Sequence, residues 1–248
     1  MPGFIENSNG TGVLGLLCPL PGAKPHLRLD LKGYSLLLQR FKLLILLLLH
    51  VGLVEAEWAG AVIEIADYDS DWKFDSDVRE ARIASISFQL EEKFETELRA
   101  GGGFGYFDMR LDGDNGDTED FDGQYLELYL RQPWTINETT SLYGLFNYRY
   151  NSGDSRGGGD RTDIDWNEVS LHMGMRLRSS HYRITPFVAY YHIDGDTSGD
   201  GGSGDFKNDD SATQGIKFDF IIEDTGFIRL EARTGYQSGG FLSFGRRY

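Results

Sequence analysis

His192 and Asp194 stand two residues apart, and Asp209 and Asp210 follow across a Gly/Asp-rich stretch, so an imidazole and several carboxylates can gather at one end of neighbouring segments. Such a group can take a proton from a water and turn it on an ester or amide. Acids are so frequent in this stretch that a His–Asp neighbour pair arises from composition alone. Ser170 and His172 make a second nucleophile–base pair, again two residues apart. No Gly-x-Ser-x-Gly elbow or metal-ligand cluster accompanies either pair. The glycine triplets at 101–103 and 157–159 lack the Lys-Ser/Thr of a phosphate loop and read as bend or loop. The chain therefore reads as a non-enzyme.

Acid clusters suggest cation binding instead. Asp112, Asp114, Asp117, Glu119, Asp120 and Asp122 crowd one stretch without a base, and Asp194, Asp196, Asp200, Asp205, Asp209 and Asp210 crowd another against Lys207. Counted from Asp112, Gly116 falls where an EF-hand wants its fifth-position ligand and Asp117 where it wants glycine. The expectation is therefore loosely bound calcium or magnesium at Asp112, Asp114, Asp117 and Glu119 and no other cofactor. Such ions would bridge to anionic lipopolysaccharide.

What must position these groups is a set of strands. Val169, Leu171, Met173, Met175 and Leu177 alternate with Glu168, Ser170, His172, Gly174, Arg176 and Arg178, a period of two rather than 3.6. Similar segments run near 58–68, 79–90, 94–110, 122–132, 141–151, 164–178, 183–194, 211–223, 226–237 and 240–248. Tight connections around Glu91–Lys93, Ser179–Tyr182 and Asp224–Thr225 alternate with long acidic ones, while Pro133 to Thr140 is longer than a tight turn. The expectation is an all-β fold, one antiparallel transmembrane β-barrel of about ten strands, with eight or twelve open, since closure satisfies every backbone group in lipid.

With Leu126, Leu128, Leu130, Ile228, Leu230 and Ala232 turned to lipid, Glu127, Arg131, Arg229, Glu231 and Arg233 turn inward. Glu95, Glu97, Arg99, Arg149, Glu168, His172, Arg176, Lys217 and Asp219 join them as expected lumen-lining residues. So small a barrel leaves a narrow or filled interior in which opposite charges pair. Tyr68, Phe94, Tyr106, Tyr150, Tyr182 and Phe227 fall near strand ends, as interfacial aromatics would.

Leu242, Phe244 and Tyr248 share one face of the last segment, and here the chain resembles Gram-negative outer-membrane β-barrel proteins, whose final strand usually ends in an aromatic read by the barrel-assembly machinery. The resemblance covers residues 57–248 at the level of architecture. It implies residence in the outer membrane of a Gram-negative bacterium, with lipid and lipopolysaccharide as neighbours. Three roles follow in order: a structural or surface-binding barrel with acidic extracellular loops, a narrow solute-selective porin, and a surface hydrolase of the omptin type. The His-x-Asp order of His192 and Asp194 reverses the Asp-x-His of that last family.

Residues 1–56 read as a leader. Arg40 and Lys42 precede the apolar run Leu43 to Leu49, too short to span a bilayer as a helix, and small Ala56 follows as a cleavage point, which makes 36–56 a signal peptide. Residues 1–35 show neither period and read as disordered or as an upstream translation artefact. The chain carries 24 basic and 39 acidic residues; five and three of these lie in the leader, which leaves 19 against 36, a net charge of −17 for residues 57–248. That surplus argues against nucleic acid as a partner. The single cysteine, Cys18, lies in the leader, so the remainder forms no disulfide.

Overall fold

The computed structural model describes residues 60–74, 77–94, 97–113, 118–156, 161–199, 202–223 and 225–247. The expected leader, Trp58, Glu95, Asp114, Asp117, the 157–159 glycines and Tyr248 lie outside the described residues. Among the described residues eleven strands form one antiparallel sheet: β1 (Gly60–Phe74), β2 (Val78–Lys93), β3 (Arg99–Asp112), β4 (Thr118–Thr135), β5 (Thr140–Ser155), β6 (Thr162–Arg178), β7 (Tyr182–Gly199), β8 (Gly202–Asn208), β9 (Ala212–Ile222), β10 (Gly226–Gly235) and β11 (Ser238–Arg247). Ten of them, all but β8, close a barrel through the pairing of β1 with β11, from Gly60 opposite Arg247 to Asp69 opposite Ser238.

The sheet closes a second time. Beyond Asp69, β1 leaves β11 and pairs through Trp72–Phe74 with β8, while β7, paired with β9 from Tyr182 to Tyr190, pairs with β8 from Asp194 to Gly199. At the end away from Gly60 and Arg247, the short strands β9, β10 and β11 thus give way to β8, and seven long strands plus β8 continue as an eight-stranded collar. Asn208 anchors the substitution. Its Oδ1 accepts the Ile193 amide at 2.9 Å, and its Nδ2 donates to the Tyr191 carbonyl at 3.2 Å and to Ser211 Oγ at 2.7 Å.

Below the collar the alternation follows the barrel rule. Ile65, Phe104, Leu128, Phe146, Leu171, Met173, Val188, Ile216, Phe220, Leu230 and Phe244 all face outward and are exposed, Leu128 at 64% and Met173 at 67%. A belt this large in water would aggregate, and acyl chains are the solvent that suits it. The belt ends abruptly: the outward residues of β1 run Ile63, Ile65, then Asp67, Asp69, Asp71. On β5 the outward Tyr148 and Tyr150 mark that boundary and donate their hydroxyls to Asn167 at 2.6 Å and Asp165 at 3.1 Å.

Several expectations are corrected. The Asp194–Asp210 stretch carries the last residues of β7 and the whole of β8, because Phe206 supplies an apolar inward residue. The Pro133–Thr140 connection contracts to residues 136–139, since β4 runs through Thr135. Glu91–Lys93 belongs to β2, and the reversal comes after Phe94, where Glu97 takes a positive φ of 64°. The triplet 101–103 is neither bend nor loop but part of β3. A Cβ on Gly101 would stand 2.3 Å from the Tyr129 ring and one on Gly105 2.2 Å from that of Tyr125, so the glycines make room for inward tyrosines. Tyr68 and Phe227 face inward and are buried, not interfacial.

Candidate functional site: the barrel interior

Alternation that coats the barrel in apolar side chains lines its interior with charge, and the strand register sets those charges side by side. Glu127 on β4 sits opposite Arg149 on β5, which sits opposite Glu168 on β6. Lys217 on β9 faces Glu231 on β10, and Asp219 is flanked by Arg183 on β7 and Arg229 on β10. Direct cross-strand neighbours approach to about 5 Å between Cβ atoms, within reach of ion pairing.

The pairs form. Arg149 meets Glu127 at 3.2 Å, Lys217 and Arg233 meet Glu231 at 3.1 and 2.6 Å, and Arg229 grips Asp219 with two bonds of 2.6 and 3.1 Å. Arg183 reaches the same Asp219 at 3.3 Å, and Glu91 is shared by Arg99 at 2.7 Å and Arg131 at 3.1 Å. Arg233 also donates to Gln237 at 2.6 Å and to the Tyr191 hydroxyl at 3.0 Å, while Gln237 reaches Glu168 at 3.4 Å. Aromatic faces take part of the cationic charge: the Arg233 guanidinium lies 3.6 Å from the Phe241 ring centre and that of Arg149 4.3 Å from Tyr125.

Of the residues assigned to the interior from sequence, Arg99, Glu127, Arg131, Arg149, Glu168, His172, Arg176, Lys217, Asp219, Arg229, Glu231 and Arg233 occupy inward positions. Glu97 does not. It lies in the β2–β3 turn with an exposed side chain, paired with Lys93 at 2.6 Å, because the positive-φ reversal takes it out of the strand. Glu64, Glu91, Arg183 and Arg247 are inward charges that the sequence reading passed over. Extending the period-two pattern of β1, β2, β7 and β11 to the strand ends finds all four.

Above this ionic zone the interior turns apolar. In the collar Trp72 stacks on Phe206 at 4.8 Å, meets Trp166 edge-on at 5.1 Å, and Trp166 meets Phe107 at 5.0 Å. Met109, Leu111, Phe121, Ile164 and Ile193 complete the filling, each at most 1% exposed. The cavity left among the ion pairs, bordered by Glu127, Glu168, His172, Arg233 and Gln237 among others, measures about 70 Å³. Such a space holds a few water molecules.

The candidate chemistry does not assemble. Ser170 Oγ and His172 Nε2 lie 3.1 Å apart, but both side chains are buried inside the barrel, and no described protein group bonds His172 Nδ1. His192 and Asp194 are exposed on the outer wall of β7. Among the described residues no three histidine, cysteine or acidic side chains converge as metal ligands. Asp112 is engaged by Arg110 at 2.9 Å and Thr118 at 3.0 Å, and these hydrogen bonds hold its carboxyl below the ordinary range. Glu119 is exposed.

No family model matches the chain, and comparison with curated protein sequences gives no match. Among solved structures the chain is similar to the transport unit of the autotransporter AIDA-I from Escherichia coli, with a TM-score of 0.45, 10% identity and coverage of 78% of this chain and 91% of that one. It is also similar to the translocator domain of the autotransporter NalP from Neisseria meningitidis, at 0.44, 14%, 88% and 98%, and to the outer membrane protein OprG from Pseudomonas aeruginosa, at 0.41, 13%, 79% and 100%. Its own closed sheet and apolar belt make this chain an integral β-barrel of the outer-membrane type.

Proposed function

We propose that this chain resides in the Gram-negative outer membrane with both termini toward the periplasm, and that its capped barrel serves the cell surface as a structural or binding element rather than as an open conduit. One observation carries the reading: the collar plug of Trp72, Phe107, Trp166 and Phe206, drawn from β1, β3, β6 and β8, packs the interior of the outer end. The buried ion pairs below it favour rigidity, since each charge there holds a partner it would cost several kcal/mol to lose. A narrow porin needs a continuous polar path, and a rim hydrolase needs its acid and base in one cleft; the plug and the outward His192 and Asp194 speak against both.

What the collar presents outward is acid. Asp67, Asp69, Asp71, Asp108, Asp122, Asp163, Asp165, Asp194 and Asp196 stand on its outer wall, with Lys73, Arg82, Arg110, Arg156, Arg161 and Lys207 as the basic side chains between them. On this reading calcium or magnesium collects there and bridges to lipopolysaccharide phosphates, and calorimetry against millimolar calcium should register uptake. The decisive experiment is electrical. The refolded barrel in a planar bilayer should give no conductance steps, and regular steps in the unaltered protein would defeat the proposal.

A further inference from the structure

The interior opens at the end where Gly60 and Arg247 pair into a cavity of about 230 Å³, bordered by Arg99, Arg176, Arg178, Arg183 and Arg247 together with Ile221, Thr225 and Gly226. Five guanidiniums from β3, β6, β7 and β11 meet there, and among the described residues no carboxylate borders it. Register produces this crowding. Arg178 sits directly opposite Arg183 across β6 and β7, and Arg99 directly opposite Arg131 across β3 and β4.

Like-charge neighbours of this kind repel and need counter-charge. The nearby acids are already shared: Glu91 serves Arg99 and Arg131, and Asp219 serves Arg183 and Arg229. Among the described residues no carboxylate lies within 4.0 Å of Arg176, Arg178 or Arg247. Arg176 lies 5.8 Å from the Tyr143 ring centre and Arg247 4.8 Å from that of Phe227, contacts that offset part of the charge. Arginine cannot shed its proton to relieve the repulsion. An anion can, and the planar fork of a guanidinium fits phosphate or carboxylate oxygens two at a time.

We propose that this vestibule is a binding site for a small multivalent oxyanion of the phosphate or polycarboxylate class, reached from the end of the barrel where Gly60 and Arg247 lie. The volume suits one compact ion rather than a polymer. Because the cavity lies inside the wall, whose outer face at this level carries Met175, Leu177 and Ile184, a dissolved anion reaches it and a lipid headgroup does not. The plug fills the far end of the interior, so the site retains its ion rather than passing it on. This inference goes beyond the surface role and does not depend on it, since binding in micelles requires neither an orientation nor the absence of conductance.

The test is calorimetric titration of the full barrel, refolded in a phosphate-free neutral detergent, with sodium pyrophosphate and with citrate, against sodium chloride at matched ionic strength. Saturable one-to-one binding of pyrophosphate or citrate is expected, together with a raised melting temperature. Arg176→Gln and Arg247→Gln should each weaken it about tenfold or more, as loss of a charge-assisted hydrogen bond does. Arg178→Gln stands at the exposed rim, so it provides a variant whose folding is not at stake, and it should weaken binding while leaving heat-modifiable mobility unchanged. Equal heats and equal melting shifts with chloride would overturn the proposal. So would binding that these three substitutions leave untouched. Adding phosphatidylglycerol to the micelle should leave pyrophosphate affinity unchanged; competition would mean that a headgroup occupies the site and would equally defeat it.

Discussion

The lower barrel and the collar share the seven long strands β1 to β7 in one unbroken register, yet each is the other turned inside out. On β1 the inward residues pass from Glu64 to Ala66, Tyr68 and Trp72 while the outward ones pass from Ile63 and Ile65 to Asp67, Asp69 and Asp71. On β3 the outward Phe104 and Tyr106 give way to Asp108 and Arg110, and the inward Gly101 and Gly103 to Phe107 and Met109. The period of two never slips. What changes is the solvent outside the wall, acyl chains below and water above, and the side chains exchange faces to suit it.

The collar core is therefore the part that should behave like the interior of a soluble protein, and its disruption should cost most. Trp72 is fully buried between Phe206 and Trp166, so Trp72→Ala should destabilise the barrel by about 3–5 kcal/mol, read from urea unfolding in micelles. It should also turn a silent bilayer into one with conductance steps. A silent, equally stable variant would show that the plug neither closes the barrel nor holds it together.

The ionic zone below should respond to a different injury. Asp219 is buried with Arg229 and Arg183 on it, and Asp219→Asn leaves both guanidiniums without their acceptor at a cost of about 3–5 kcal/mol. Removal of an exposed collar pair such as Arg161 with Asp154 should leave the unfolding midpoint nearly unchanged. Comparable losses at the two sites would mean that the interior is as wet as the surface.

Leu128 and Asp163 separate the two zones most simply, because both are exposed and differ in what they are exposed to. Leu128→Arg should cost about 2–4 kcal/mol if its surroundings are lipid, whereas Asp163→Arg should fall within about 0.5 kcal/mol of no effect. Identical small effects would place water on both walls.

This inversion also decides what could be read from the sequence. Where lipid is outside, alternation puts every leucine on one face, and β4 with its Leu126, Leu128 and Leu130 announces itself. In the collar the same alternation sets aspartates outward among glycines, and Asp67, Asp69 and Asp71 or Asp194 and Asp196 look like acidic loops. Only the inward residues betray the strands: Ser70, Trp72 and Phe74 on β1, and a lone Phe206 on β8. One aromatic in seven residues is too little to mark a strand that forms only because β7 and β1 offer it two edges. The ionic zone was legible for the opposite reason, since inward charges stand out between apolar neighbours. Arg183 and Arg247 escaped because strand ends, where turns compete with the pattern, are the least readable places. Those ends are where the vestibule arginines converge.

The boundary between the zones yields the smallest effect. Asp122 stands just above the belt on the outer wall, accepting hydrogen bonds from the Tyr106 hydroxyl below it and from Arg156 Nε at 2.6 Å; Arg156 also reaches Asp108 at 2.8 Å. Partial burial pushes the Asp122 carboxyl upward, but these two donors outweigh it and hold it below the usual carboxylate range. A carboxyl depressed in the folded state contributes stability that is fully present above its unfolded value, about pH 4, and is lost as pH falls through the folded one. Asp122→Asn should therefore lower stability by under about 1 kcal/mol at neutral pH, screened further by salt, and the difference from the unaltered chain should vanish in acid. A difference that persists unchanged below the carboxylate range would mean that Asp122 acts through its shape in the wall, and that the line between lipid and water is drawn by packing rather than by charge.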